Sequence, residues 1–449
     1  MSDPAAPPRV VVVGGGLAGL TAALRLAERG TGVTVLEAEP EVGGRARTIS
    51  VGGEPLDRGF QSLFTAYPST SRLLRDVGIT KRDVVAFDRG AVVHDGAGWS
   101  RMEASPLGTL GFRWFRRTDV ARLARLGAEV IAAPTDALLW GDECGMRTED
   151  HLRQLGFSSD ALEGFFRPLF GVITADRELS SDAGYFRFLL KMMLRGRAVI
   201  PVEGHGMIGA WTAARVRQLG GEVRTGSPVA ELLPAADDRG RVRGVRLADG
   251  AYIPADSVVV ACGIEPARQL LAELDRQAAR ALDLEPRGVT TLAYALRASF
   301  HSGKTIVLNG APRDGAPRID LVCQESNLLR PGVGEGARLL ATSVHGADGA
   351  PDPDGLALAM ERLAGTWNPG FPWARMATLE EVIVHPWAQF AVPPGVRADL
   401  PDAATGLANV FLAGDFTAHP SVEGAVGSGE RAAEVAAAGL RRTGASGVH

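Results

Sequence analysis

Three glycines near the start of the chain have the spacing of a phosphate-binding turn. Gly14, Gly16 and Gly19 complete a GxGxxG pattern directly after a run of β-branched residues. In such a turn the first glycine allows the tight bend, the second lets a pyrophosphate approach the backbone, and the third lets a helix pack on a strand. The free N–H groups at the helix start and the positive end of the helix dipole would face the phosphates, and Leu17 and Ala18 are expected among the cofactor-binding residues. The pattern predicts dinucleotide binding.

The surrounding elements support this interpretation. Arg9 to Val13 is predicted as a buried strand, Leu20 to Arg29 as a helix and Val33 to Leu36 as a second strand. Glu37 and Ala38 stand at the tip of that second strand, where a carboxylate accepts hydrogen bonds from a ribose diol. A glycine-rich βα turn without a ligand is the alternative, but the acid in register favours a nucleotide.

The next segments carry a family resemblance. GGRAR (residues 43–47) resembles the continuation found in flavin amine oxidases and carotenoid desaturases. The resemblance implies that Gly43 and Gly44 admit the diphosphate of FAD and that Arg45 lies near the flavin end; a surface turn with solvated arginines is the alternative. LDRGFQSL (residues 56–63) resembles the family segment beside the isoalloxazine ring, which implies contacts from Gly59 and Phe60.

The carboxy-terminal region contains a second junction of strand, turn and helix. Val410 to Ala413 is predicted as the strand, and the helix is predicted to run from near Glu423 to about Arg442. A flavin needs a fixed ring plane, and a helix N-terminus favours the anionic pyrimidine edge of the reduced ring. The segment resembles the carboxy-terminal flavin motif of the same family. The cofactor-binding residues expected here are Gly414, Asp415, Glu423, Gly424 and Ala425.

The middle of the chain completes the expected fold. Residues 220–263 are predicted as short strands and hairpins, and resemblance places the backbone of Val229 at the adenine. The fold class is therefore α/β: a discontinuous Rossmann-type FAD domain of the glutathione-reductase kind, with an α+β substrate domain as in flavin amine oxidases. The FAD domain is expected to comprise residues 1–90, 200–290 and 400–449, and the substrate domain residues 91–199 and 291–399.

The substrate is expected to be apolar. Amine oxidases of this superfamily usually supply an aromatic ring just before the EGA glutamate, but this chain has His419-Pro420-Ser421-Val422 there. The sequence AGD at residues 413–415 also resembles that of the carotenoid, phytoene and hydroxysqualene enzymes of the superfamily. We expect hydride transfer from a carbon of an isoprenoid-like chain to flavin N5, with no catalytic side chain assigned. The expected pocket residues are Phe60, Tyr185, Trp387, His419 and Val422.

Three alternatives stay open: a flavin amine oxidase, a relative of protoporphyrinogen oxidase, and a flavin-binding isomerase or scaffold without net redox turnover. The electron acceptor is expected to be oxygen or a quinone. Two basic and apolar stretches, residues 112–126 and 186–197, suggest peripheral contact with a membrane, although core helices with a solvated edge give the same pattern.

Composition excludes other classes. A formal charge of −4 gives no case for nucleic acid. The three scattered cysteines and eight scattered histidines form no metal-ligand spacing, and the cysteines fit a reducing compartment and non-covalent FAD. The longest apolar run, residues 10–24, is shorter than the ~20 residues of a membrane span and lacks signal-peptide features. The expected location is cytoplasmic, with oligomeric state unknown.

Overall fold

The structure is a computed structural model of the 449-residue chain. It describes residues 8–51, 53–59, 62–103, 105–140, 145–238, 240–312, 315–346 and 349–445. Phe60, an expected cofactor and pocket residue, and Cys144, one of the three cysteines, lie outside these ranges.

Twenty strands are present in the described residues. In chain order they are β1 (Arg9–Val13), β2 (Gly32–Leu36), β3 (Thr48–Val51), β4 (Glu54–Asp57), β5 (Leu63–Phe64), β6 (Val84–Ala86), β7 (Gly90–His94), β8 (Trp99–Glu103), β9 (Ala198–Pro201), β10 (Glu222–Arg224), β11 (Val229–Pro234), β12 (Val242–Leu247), β13 (Tyr252–Pro254), β14 (Ser257–Val260), β15 (Pro286–Leu296), β16 (Val307–Asn309), β17 (Leu321–Cys323), β18 (Ala337–His345), β19 (Ala377–Phe390) and β20 (Val410–Leu412).

Seventeen α-helices occur in the same described ranges. They are α1 (Leu17–Ala27), α2 (Pro68–Asp76), α3 (Pro106–Leu110), α4 (Arg117–Ala132), α5 (Thr135–Trp140), α6 (Thr148–Gln154), α7 (Ser159–Ala161), α8 (Arg167–Ile173), α9 (Ala183–Arg195), α10 (Gly206–Gln218), α11 (Ile264–Leu271), α12 (Arg276–Ala281), α13 (Ser326–Leu329), α14 (Pro353–Trp367), α15 (Trp373–Met376), α16 (Val396–Asp399) and α17 (Val422–Ala445).

The nucleotide-binding part is a five-stranded parallel sheet in the order β10-β2-β1-β14-β20. Its central strands are short Val-rich runs because side chains on both faces of a parallel sheet are buried. The predicted α/β fold class is confirmed, and β1 has the predicted bounds. Helix α1 begins at Leu17 rather than Leu20, because the last glycine of the motif lies inside the first helical turn.

The two ends of the chain meet on this sheet. Strand β20 pairs with β14, which pairs with β1, so the carboxy-terminal strand is two places from the amino-terminal one. Helix α17 packs directly on α1: a Cβ on Gly429 would overlap the Ala18 carbonyl oxygen and lie 2.9 Å from Thr21 Cβ. Close packing against another helix of the same chain therefore requires glycine at position 429.

A second, seven-stranded sheet has the order β19-β15-β18-β17-β16-β7-β8 and is mostly antiparallel. Strand β15 starts at Pro286, inside the segment 200–290 that was expected to belong to the FAD domain. The predicted domain boundaries stay a prediction. The predicted hairpins of the middle segment form a three-stranded antiparallel sheet, β11-β12-β13, with Val229 as its first residue.

The two basic and apolar stretches turn most of their apolar side chains inward. Phe112, Phe115 and Leu126 are buried in the first stretch, and Phe186 and Phe188 in the second. Both stretches therefore behave mainly as core segments with arginines at their edges, which was the alternative interpretation. No helix in the described part of the chain has the length and hydropathy needed to cross a bilayer.

Candidate functional site

The amino-terminal turn has the shape of a phosphate cradle. Gly14 has φ +108°, and a Cβ there would lie 2.7 Å from the Ala261 carbonyl oxygen. A Cβ on Gly19 would overlap the Gly14 carbonyl, whereas one on Gly16 would meet no atom within 4 Å. Gly16 therefore borders open space, as the residue that a pyrophosphate approaches should.

Donors for an anion are available beside that space. Among the described residues, no acceptor takes the N–H groups of Leu17, Ala18 or Gly19 in the first turn of α1. Free N–H groups at a helix start, together with the helix dipole, form an anion-binding site. The turn fits a diphosphate on geometry alone.

Glu37 is buried at the carboxyl end of β2. Its Oε2 accepts the Gly15 N–H at 2.6 Å and its Oε1 accepts the Glu39 N–H at 2.9 Å. Each carboxylate oxygen can accept more than one hydrogen bond, so the predicted contact with a ribose hydroxyl remains sterically and chemically possible. The carboxylate also shapes the turn itself, a role that the sequence did not reveal.

The segment that is expected to contact the adenine lies close to Glu37. The Ser227 N–H donates to the Glu37 carbonyl at 2.7 Å, which brings the chain just before Val229 to the tip of β2. Ala38 is exposed at the same tip. Cys262 lies nearby, and burial, aided by the Glu37 charge, raises the pKa of its thiol to about 12. This cysteine is free and stays a thiol at neutral pH.

The loop that contains GGRAR closes over the cradle. The Gly43 N–H donates to the Gly15 carbonyl at 2.8 Å, and Gly43 and Gly44 have φ of +115° and +57°. A Cβ on Gly44 would lie 3.2 Å from Gly16 Cα. Larger residues would strain this loop or push it away from the turn, so the glycine pair follows from packing.

Arg45 and Asp415 join the two predicted motifs directly. The Arg45 guanidinium donates to Asp415 Oδ1 at 2.6 Å and to the Ala388 carbonyl at 3.0 Å. The Asp415 charge raises the pKa of Arg45, against the opposing effect of burial. Asp415 is itself buried, and no donor among the described residues reaches its Oδ2. One carboxylate oxygen is thus available to a hydroxyl. The preceding Gly414 donates its N–H to Ser428 Oγ at 2.9 Å, which anchors the turn on α17.

The start of α17 corrects part of the predicted donor set. Ser421 accepts the Gly424 N–H through its Oγ at 2.9 Å and the Ala425 N–H through its carbonyl at 3.0 Å. These two N–H groups are therefore committed to Ser421. Within the described residues, only the N–H groups of Val422 and Glu423 in this first turn have no acceptor.

The side chain of Glu423 bonds to the start of another helix. Its Oε1 accepts the Ser69 N–H at 2.9 Å, and its Oε2 accepts the Thr70 N–H at 2.9 Å and the Thr70 hydroxyl at 2.8 Å. Glu423 therefore caps the start of α2 and ties it to α17. The expectation of a cofactor contact at this residue can hold only for its backbone.

The segment Arg58-Gly59 is held by a histidine that the sequence reading missed. His385 Nε2 donates to the Arg58 carbonyl at 2.6 Å, and a Cβ on Gly59 would lie 3.5 Å from the His385 ring. Gly59 has φ +98°, which favours glycine. Burial, the main cause, lowers the pKa of His385. His385 lies two residues before Trp387, which is one of the expected pocket residues.

A group of buried aromatic side chains surrounds His419. Its ring centroid lies 4.7 Å from that of Phe188 and 5.8 Å from that of Tyr185, and Tyr67 stacks on Phe188 at 6.2 Å. The Tyr185 hydroxyl donates to the Pro420 carbonyl at 2.8 Å. Trp387 and Val422 are half-buried and make no ring contact with this group. The structure thus unites Tyr185 with His419 and adds Tyr67 and Phe188.

The group around His419 is electrically neutral at ordinary pH. Burial, with smaller effects from Arg397 and Arg431, lowers the pKa of His419 to about 3. Burial also raises the pKa of both Tyr67 and Tyr185. The buried Arg397 is paired with Asp182 at 2.7 Å. The rings therefore present apolar faces rather than charge.

The family model of flavin containing amine oxidoreductases matches residues 17–437. The chain belongs to this family. It is therefore an FAD-dependent oxidoreductase, as its two motifs predicted.

A relative and two solved structures illustrate the range of the family. Hydroxyneurosporene desaturase of Rubrivivax gelatinosus is 29% identical over 365 residues, which cover 74% of this chain and 68% of that protein. An oxidoreductase from Methanosarcina mazei superposes with a TM-score of 0.72 at 18% identity, covering 93% of this chain and 98% of that one. Putrescine oxidase bound to putrescine gives 0.68 at 16% identity, covering 96% and 99%. At these identities the two structures show the fold alone.

Proposed function

We propose that this flavin oxidoreductase dehydrogenates an apolar, isoprenoid-like chain. When bound, FAD would supply the chemistry by accepting a hydride from a substrate carbon at N5, and the neighbouring carbon would release a proton to solvent, so that a double bond remains in the product. The proposal is carried by the neutral wall around His419, where ring faces are presented and the buried guanidinium of Arg397 is paired with Asp182. The similarity to a hydroxyneurosporene desaturase supports it.

The residues of this chain would act mainly by holding and orienting the cofactor. The turn at Gly14 to Gly19 would bind the diphosphate, and Glu37 the ribose. Asp415 would accept from a ribityl hydroxyl through Oδ2, while Arg45 keeps its carboxylate in place. The N–H groups of Val422 and Glu423 would face the pyrimidine edge. Position and orientation alone contribute strongly to the rate of such a transfer.

An amine oxidase is the second candidate, and one observation favours it. Tyr67 and Tyr185 lie in the wall around His419, so two tyrosines contribute aromatic surface there although the final third of the chain contains none. Against it, the Tyr185 hydroxyl is bonded to the backbone, and no carboxylate forms a hydrogen bond to the rings of this wall among the described residues. The charges of Glu423 and Asp415 act on Tyr67 and Tyr185, but Glu423 is bonded to α2 and Asp415 to Arg45. An ammonium group would therefore have to compete for carboxylates that already have partners, which is costly.

The electron acceptor and the cellular setting belong to the same proposal. Oxygen or a quinone would reoxidise the flavin, and the protein would work in the cytoplasm, with membrane contact as a means to reach an apolar substrate. Co-sedimentation with anionic liposomes at low salt tests that contact. Absence of binding would remove it from the proposal.

The function is tested by anaerobic reduction of the bound flavin. Purified holoprotein is mixed with phytoene or neurosporene in detergent, with putrescine or cyclohexylamine, and with protoporphyrinogen, and absorbance near 450 nm is followed. Bleaching by the polyenes alone supports the proposal. Bleaching by an amine would establish the second candidate, and bleaching by protoporphyrinogen the third class. If none of these compounds bleaches the flavin, the result would count against each of the redox functions considered.

A further inference from the structure

A buried polar cluster lies on the far side of the segment that is expected to border the flavin ring. Asp57 ends β4 and directly precedes Arg58 and Gly59. Its carboxylate accepts the Thr48 hydroxyl at 2.5 Å and the His205 N–H at 2.7 Å through Oδ1. The Nδ1–H of His205 donates to its Oδ2 at 2.5 Å. The cluster therefore fixes the residue from which the Arg58-Gly59 backbone continues.

The fit around this pair is tight. Gly204 has φ +82°, and a Cβ there would lie 2.7 Å from Asp57 Oδ1. A Cβ on Gly206 would lie 2.8 Å from the Thr48 backbone nitrogen. In the sequence GHG at residues 204–206, the residues on both sides of His205 must therefore be glycine, because a side chain at either position would collide with Asp57 or Thr48. Burial acts against the charge of Asp57, but His205, Thr48 and the His205 N–H hold the pKa of Asp57 below its usual range.

One ring nitrogen of the cluster has no hydrogen-bond partner among the described residues. This nitrogen is Nε2 of His205, which is fully buried. Asp57 lines a small cavity together with Gly204 and Glu325, whose carboxyl is buried and makes no hydrogen bond within the described ranges. The cavity measures about 10 Å³, so it admits at most one water molecule and no larger ligand. The cavity is therefore too small to hold a substrate.

The charged groups that act on Glu325 come from both parts of the structure. Asp57 and His205 belong to the FAD-binding side, and Arg338 on β18 belongs to the second sheet. Arg338 donates to the carbonyls of Pro55 and Val51 at 3.0 Å each and to Glu380 at 3.2 Å, so it clamps the β3–β4 hairpin. The Cys323 thiol also lies close, and burial holds it neutral. Burial, with the Asp57 charge adding to it, raises the pKa of Glu325 to about 7, while His205 and Arg338 act in the opposite direction.

We propose that Asp57, His205 and Glu325 form a positioning cluster, in which the proton on Glu325 keeps the Asp57–His205 pair in place and thereby sets the Arg58-Gly59 backbone against the flavin. The inference rests on the proposed position of the flavin beside Gly59. When Glu325 loses its proton, a second buried negative charge stands beside Asp57. Like charges at such a site repel, so the segment shifts and the surroundings of the ring change with it.

The test follows the visible absorption and circular dichroism of bound FAD between pH 5.5 and 8.5. The wild-type spectrum should change with a midpoint near 7, and the dissociation constant of FAD should rise about tenfold across that change, as coupling of one pKa unit to binding requires. Glu325→Gln should keep the low-pH spectrum throughout. The matched control Glu335→Gln, an exposed acid before β18, should titrate like the wild type.

Two outcomes would overturn the proposal: a spectral step that persists unchanged in Glu325→Gln, or a wild type that holds FAD and shows no step. A protein that binds no FAD would instead contradict the proposed function. In that case the cluster is tested on the FAD-free protein. Because the pKa of Glu325 is about 7 in the folded state and 4.5 in the unfolded chain, the folded protein binds more protons between these values, and the free energy of unfolding falls as pH rises from 4.5 to about 7. The unfolding midpoint of Glu325→Gln should lack this fall, and equal slopes in both proteins would refute the cluster.

His205 is tested by graded replacement. His205→Asn keeps a donor near the Nδ1 position, whereas His205→Ala leaves the Asp57 oxygen unbonded. We expect Asn to retain FAD affinity within a fewfold and to show the pH step at a higher pH, because His205 lowers the pKa of Glu325, and Ala to weaken FAD binding roughly tenfold or more. Equal FAD affinity and equal pH profiles in both variants would contradict a positioning role.

Discussion

Glu423 provides a sharp test because its carboxylate bonds to another helix instead of the cofactor. Three donors converge on it: the N–H groups of Ser69 and Thr70 and the Thr70 hydroxyl, at 2.8–2.9 Å. Replacement by alanine leaves these donors without their acceptor in a buried place. At about 1–3 kcal/mol for each unsatisfied group, with partial rescue by water, we expect a loss of about 3–5 kcal/mol.

The assay is thermal unfolding of the FAD-free protein. At an unfolding entropy of about 2.1 cal/mol/K per residue, 1 kcal/mol corresponds to about 1 °C for a chain of this length that unfolds as a unit. Glu423→Ala should therefore lower the midpoint by about 3–5 °C. Thr70→Val, which removes only the hydroxyl donor, should lower it by about 1 °C.

A double-mutant cycle separates the capping role from general damage. Adding Thr70→Val to Glu423→Ala should cost little beyond the Glu423→Ala loss, because the hydroxyl bond is already gone. Glu423→Ala refolded at low temperature should bind FAD within a fewfold of the wild type. A stable Glu423→Ala protein that fails to bind FAD would refute the capping account and restore a direct cofactor role.

Three further results are expected. Arg45→Met removes the partner of the buried Asp415 carboxylate, so FAD binding measured by fluorescence quenching should weaken tenfold or more; an unchanged affinity would argue against the bridge. Gly19→Ala forces a methyl group into the Gly14 carbonyl and should lower the unfolding midpoint of the FAD-free protein by several degrees, whereas Gly427→Ala, with ordinary contacts only, should be neutral or slightly stabilising. His419→Gln should leave the pH profile of flavin bleaching by substrate between pH 5 and 8 the same as that of the wild type, since His419 is neutral there; a step near pH 6.5 that the wild type shows and His419→Gln lacks would mean that the histidine titrates normally.

The parts of the fold that the sequence predicts well are those governed by local rules. β1 occupies the predicted residues Arg9–Val13 because a run of β-branched residues between loops has few other stable conformations. The predicted helix near Glu423 starts at Val422 because Ser421 caps it. The glycines of the first turn follow from close contacts within one βα unit.

The parts that escaped prediction depend on contacts between distant segments. Glu423 accepts a hydrogen bond from Thr70, although their residue numbers differ by 353. No local pattern indicates which helix an acidic residue will cap. His385 reaches the Arg58 carbonyl across 327 positions. The basic stretch with Phe186 and Phe188 has the composition of an interfacial helix, and only tertiary packing shows that these rings face the core.

The central claim is that the chain holds FAD with its diphosphate against the Gly14–Gly19 turn, and Gly16 tests it most directly. Gly16 has φ −72° and ψ 176°, which any residue adopts, and a methyl group there would meet no protein atom within 4 Å. Gly16→Ala should therefore unfold within about 1 °C of the wild type when FAD is absent. In an equilibrium titration with FAD it should bind at least tenfold more weakly, because the methyl group enters the space of the diphosphate. Undiminished FAD binding by a fully folded Gly16→Ala protein would contradict the account.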